Sequence, residues 1–193
     1  MVTESEFQAA RKTKSPKTRQ KFLDSAYNEN LCGIADYCRG IFYVGPHSKG
    51  FHLSGKTPFF ARLGIKGFKM RLLVHENGFN FISNLAEFKS VLRHERLHGK
   101  DMCERPDLYA TGFSYGKRVR KVLPLFMSKK AAERIIAKND VILAKSELRA
   151  CKINLNDIQK NPRMYSVKFK RYLHRKINDN KLKLKEAQKI LKK

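Results

Sequence analysis

A formal net charge of +25 on 193 residues is the feature that most limits what this chain can fold into. Self-repulsion of that size works against a compact state, and a sequence carries it when a counter-charged partner compensates. The expected partner is a polyanion, with duplex DNA first and RNA permitted equally by charge alone. A membrane is not expected as a partner, because no segment reaches the roughly 18 apolar residues a spanning helix needs and the first thirty residues carry Glu4, Glu6 and a basic run from Arg11 to Lys21 rather than an apolar block. The location expected is intracellular, cytoplasmic or nucleoid-associated. Sequence leaves the oligomeric state open.

Hydrophobic residues at 41% against charged residues at 31% are enough for one modest core, with the ends close to disordered composition. The chain divides into a basic N-terminal arm or helix (1–30), a core (31–150) with two possible related units (40–100 and 108–150), and a Lys-rich helical tail (151–193). Four cysteines, Cys32, Cys38, Cys103 and Cys151, at irregular spacing read as free thiols.

The expected class is α+β: a small antiparallel sheet, in one or two strand–strand–helix units, flanked by helices. Gly-containing turns punctuate residues 40–122, and Asn77-Gly78 is the strongest hairpin signal. Phe68, Met70, Leu72 and Val74 alternate with Lys69, Arg71 and His75, which describes a strand with a basic outer side. Phe59, Ala61 and Leu63 alternate with Phe60 and Arg62 in the same way. Ser83 then reads as the N-cap of a helix with Leu85, Phe88, Val91 and Leu92 at helical spacing up to Gly99. Phe126-Met127-Ser128-Lys129-Lys130-Ala131 repeats the pattern of Phe81-Ile82-Ser83-Asn84-Leu85-Ala86 before a second helix.

The sharpest chemical motif is His94-Glu95-Arg96-Leu97-His98. Two imidazoles one helical turn apart can hold zinc while the glutamate activates water. The alternative is an ordinary polar helix face, and Arg96 and Lys100 place charge where zinc peptidases carry uncharged residues. A third ligand is required; Glu104 and Glu133 are the candidates. Asp101 stands where one peptidase class has its turn glycine. Cys32 and Cys38 with His47 or His52 offer a weaker zinc set, their gap being wider than structural sites use. On the metal-free reading there is no cofactor; on the motif reading it is zinc.

Phe60-Ala61-Arg62-Leu63 through Lys66-Gly67-Phe68-Lys69-Met70-Arg71-Leu72, followed by Phe81-Ile82-Ser83, gives two basic strands, a glycine turn and a helix. Over residues 39–100 this resembles the three-strand-plus-helix DNA-binding domain of plant ethylene-response factors, whose relatives occur in phage homing endonucleases and as arm-binding domains of tyrosine-recombinase integrases. Residues 112–137 are similar to part of a second copy. Phe60 stands where the family has Trp, and Leu73 to Gly78 lengthens the hairpin. The resemblance implies a sheet in the major groove with Arg62, Lys66, Lys69 and Arg71 on bases and phosphates. Lys117, Arg118, Arg120 and Lys121 would extend that surface, and Lys168, Lys170, Arg171 and Arg175 of the tail would hold phosphates. The first function expected is therefore a non-enzymatic DNA-binding protein; the alternative is a zinc-dependent metallopeptidase using His94, Glu95 and His98, and a second alternative is an RNA-binding protein.

Overall fold

The computed structural model describes residues 2–26, 35–37, 51–55, 70–74, 79, 81–104 and 123–192; of the strand residues and of residues 24, 96 and 99–104 it describes the backbone alone. Helices dominate. They are α1 (Glu4–Lys12), α2 (Pro16–Ala26), α3 (Leu85–Glu104), α4 (Lys129–Lys160) and α5 (Val167–Leu191), with a 3₁₀ turn at Pro162–Met164 between the last two. Three short strands, β1 (Ala35–Tyr37), β2 (Phe51–Gly55) and β3 (Met70–Val74), pair in the order β1–β3–β2, with β1 parallel and β2 antiparallel to β3.

The described core is all-α, which overturns the expected α+β architecture built on an antiparallel sheet. Phe7 and Ala10 of α1, Phe22 and Leu23 of α2, and Leu85, Phe88 and Leu92 of α3 close around Phe79 and Ile82. Four phenyl rings, those of Phe7, Phe22, Phe79 and Phe88, lie with centroids 5.3 to 6.4 Å apart. Offset and edge-on aromatic packing of this kind adds to the gain from area burial. Alternation at residues 70–74 is a true strand signal; what it does not foretell is that helices, not strands, supply this core. Phe88, 1% exposed, sits at its centre, and Phe88→Ala should destabilise the fold by about 3–5 kcal/mol, read from a denaturant melt.

The N-terminal segment belongs to that core. Thr3 caps α1 in a reciprocal box: its Oγ1 accepts from the Glu6 amide at 3.3 Å while its own amide donates to Glu6 Oε2 at 2.7 Å. Those bonds hold the Glu6 carboxyl below its ordinary pKa. Buried Arg19 of α2 donates from Nε to the Ala10 carbonyl at 3.2 Å, placing a cation on the C-terminal carbonyls of α1. Its guanidinium also lies 5.2 Å from the Phe79 ring centroid.

At α3, Asn84 caps in place of the expected Ser83, its Oδ1 accepting from the Glu87 amide at 3.0 Å. The helix continues through Gly99 to Glu104 instead of ending there. Fully buried Glu87 ties two helix starts together. One oxygen accepts from the Ser83 amide at 2.8 Å and the other from the Ser166 amide, at the N-cap of α5, at 2.7 Å.

Ser128 caps α4 as the sequence indicates, accepting from the Ala131 amide. The six-residue likeness to the α3 start ends there, since Phe81 is half-buried against the core whereas its counterpart Phe126 is 80% exposed. α4 runs unbroken past residue 150, and the Lys-rich segment that follows folds back as α5. The buried face of α4 is made of small and polar residues, Ala132, Ala137, Ala144, Ala150, Ser146 and Asn154 among them. Small side chains let α3 and α5 approach its axis closely. Asp157 anchors α3 to α4, its Oδ2 accepting from Ser90 Oγ at 2.7 Å and pairing with Arg93 at 2.7 Å. Among the described residues no helix is long and apolar enough to cross a membrane.

Candidate metal centre

His94 and His98, one turn apart on α3, turn their rings toward α4 and are 4% and 7% exposed. Their outer nitrogens are fixed from α4. Asn154 donates its amide nitrogen to the Ser90 carbonyl at 2.9 Å and to Ser90 Oγ at 2.8 Å, which leaves its Oδ1 facing His94 Nδ1 at 2.7 Å. Because that oxygen only accepts, His94 Nδ1 carries a proton, and in the neutral imidazole Nε2 is then the lone-pair nitrogen. Ser146 Oγ, a hydroxyl that can donate or accept, lies 2.9 Å from His98 Nδ1. Such partners on the far nitrogen orient metal-binding imidazoles.

The two Nε2 atoms face each other at 3.3 Å. The carboxylate of Glu147 on α4 spans the pair, with Oε2 3.4 Å from His94 Nε2 and Oε1 3.6 Å from His98 Nε2. Zinc bonded to N and O at about 2.0–2.1 Å in a tetrahedron separates its ligand atoms by roughly 3.3–3.4 Å. The separation of the two imidazole nitrogens matches that edge, and each carboxylate oxygen lies at close to the same distance from one imidazole. His94, His98 and Glu147 are the group of potential metal ligands that the described residues bring together. Glu147 Oε2 is buried and receives no aligned hydrogen bond among the described residues.

Lone pairs and a carboxylate aimed at one point require a cation between them. Lys176 of α5 supplies one, its Nζ 2.8 Å from Glu147 Oε2 and 3.3 Å from His94 Nε2. Burial alone would raise the Glu147 carboxyl, but the His94 ring, the Lys176 ammonium and His98 outweigh it and hold the group well below the usual carboxylate range. Burial likewise disfavours the charged lysine, and Glu147 more than offsets it, lifting the ammonium above its ordinary value. Glu95 is 7% exposed; burial pushes its carboxyl up to about 7, with His94 and Lys176 opposing the rise. A buried carboxyl poised near neutrality suits proton transfer. Cys151, buried beside these charges, has its thiol pushed up to about 11 by burial and remains a free thiol.

Among the described residues the third position falls to Glu147. Glu133 lies exposed on the first turns of α4, and Glu104 is described only in backbone. Polar residues eight apart on the inward face of a long helix, Ser146 and Asn154 on either side of Ala150, were the available signal for this partner helix.

Of the residues expected to bind nucleic acid, Arg62, Lys66, Lys69, Lys117, Arg118, Arg120 and Lys121 lie outside the described residues, as do Asn77-Gly78, Cys32, Cys38, His47 and His52. Arg71 falls in β3, its backbone opposite Asp36 and Ser54. On α5, Lys168, Arg171 and Arg175 are exposed and Lys170 is half-buried. Lys168 is engaged by the Phe81 ring at 4.9 Å. Compared with protein-family models, with curated proteins and with solved structures, the chain matches none.

Proposed function

We propose that this chain is a zinc-dependent hydrolase of peptide bonds, with His94, His98 and Glu147 as metal ligands and Glu95 as the general base. The observation that carries this is the convergence of two buried imidazole nitrogens 3.3 Å apart with the two oxygens of Glu147, each 3.4 or 3.6 Å from one of them, so that one ligand atom from each residue lies within 4.8 Å of the others. The His-Glu-x-x-His order supports the reaction class, since it sets a carboxylate beside two ligands on one helix. Bound zinc would polarise a carbonyl and lower the pKa of a coordinated water. Glu95 would take the proton of that water and return it to the leaving amine. Asn154 and Ser146 hold the imidazoles with Nε2 inward, and Glu147 provides the anionic third donor. A site with three protein ligands leaves a fourth position for water, as catalytic zinc centres do.

The test separates binding from chemistry. Protein equilibrated with zinc and dialysed should retain one ion per chain, and His98→Ala should retain none. Glu95→Gln should keep the ion while cleavage of a quenched-fluorescence peptide library falls by on the order of 10³-fold or more. Wild-type protein that retains no zinc would refute the centre. Retained zinc with equal cleavage by Glu95→Gln would refute the base.

A further inference from the structure

Away from the metal centre, α4 presents a second feature. Arg134, Lys138, Lys145 and Lys152 are all exposed and stand four, seven and seven residues apart. At 100° per residue they fall within about 40° of one another around the helix. The stripe extends about 27 Å along the axis at 1.5 Å per residue. Every acidic residue of α4, namely Glu133, Asp140, Glu147 and Asp157, lies about 100° or more from it in that projection. Arg149 shares the line but is engaged within the chain, so it is left out.

We infer that this face of α4 is a docking surface for duplex DNA, which it grips by the phosphates. Charge complementarity selects a polyanion, because four cations in line without an intervening acid have no counterpart on the helix itself. The form of the stripe selects a duplex. α4 is one unbroken helix of 32 residues, packed along its inner side by α3 and α5, and carries no aromatic residue, whereas single strands are held on aromatic stacking platforms. A row of long, flexible cations on a rigid rod instead fits the regular negative charge of a double helix, one per ~1.7 Å of axis. A lipid surface would call for large apolar residues free to enter the bilayer beside the cations, whereas every Ile, Leu and Val of α4 is partly buried and none is exposed. The surface differs from the sheet and tail residues that the sequence suggested, and it is independent of the zinc reading.

Fluorescence anisotropy with a 20-base-pair duplex at several salt concentrations tests it, on the full chain. The variant R134Q/K138Q/K145Q/K152Q should bind about 100-fold more weakly at 100 mM salt, and its log–log salt slope should fall by roughly 3 to 4. A control of equal charge, K181Q/K185Q/K189Q/K192Q at exposed positions of α5 and its C-cap, should lose less than tenfold. Unaltered far-ultraviolet circular dichroism and zinc content would establish that both variants are folded. Equal losses in the two variants would reduce the effect to net charge and overturn the assignment. So would an unaffected α4 variant, or wild-type protein that binds structured RNA at matched salt and not the DNA duplex.

Discussion

Glu147→Gln should weaken zinc binding by roughly 10²- to 10³-fold, measured by competition with a chromophoric chelator, while Glu133→Gln leaves it unchanged. Structural zinc sites gather about 10–16 kcal/mol at neutral pH, so withdrawing the one anionic donor of three removes on the order of a quarter of that. The amide keeps the shape of the side chain and loses its charge, which separates ligation from packing. Cobalt substitution provides the geometric check. Wild-type protein should give the intense visible bands of a four-coordinate ion, and the variant should lose them together with its affinity. An unchanged affinity would remove Glu147 from the ligand set, despite its position 3.4 and 3.6 Å from the two imidazoles.

Lys176→Met should act in the opposite direction and tighten zinc binding by about 10-fold or more. The ammonium lies 2.8 Å from Glu147 Oε2 and 3.3 Å from His94 Nε2, so an ion bonded to both atoms would stand within about 4 Å of it at most. Like charges that close repel strongly away from bulk water, and zinc entry must swing the lysine aside. Without zinc the same substitution should hurt, because Glu147 loses the cation that compensates it. With the pair about a quarter to a third exposed, the fully buried cost of 3–5 kcal/mol is reduced to roughly 2 kcal/mol. Thermal melts with and without zinc should show a larger metal-induced rise for Lys176→Met than for wild type. Equal affinity in the two proteins would mean that the lysine and the ion do not compete.

The two histidines and their glutamate were legible in the sequence because they occupy one helix, where spacing alone specifies adjacency. Glu147 and Lys176 were not. Each comes from a different helix, and the register that brings them to His94 is set by how closely α4 packs, which no local pattern encodes. Ser128 was legible as a cap, whereas Ser83 yielded to its neighbour Asn84, whose oxygen reaches the Glu87 amide. The N-terminal segment misled through its charge. Phe7, Phe22 and Leu23 are spread among Lys and Arg, so a segment that looks like an arm is one wall of the core. Strand alternation at Met70–Val74 was real, yet class depends on which elements share the buried interior.

Alanines along the inner side of α4 have a meaning beyond economy of volume. They act as spacers of fixed thickness, so the distance between three helix axes, and with it the reach demanded of His94, Glu147 and Lys176, is decided by residues without any reactive group. A lineage could therefore retune the grip of this chelate by exchanging methyl-sized residues for slightly larger ones, leaving each donor atom untouched.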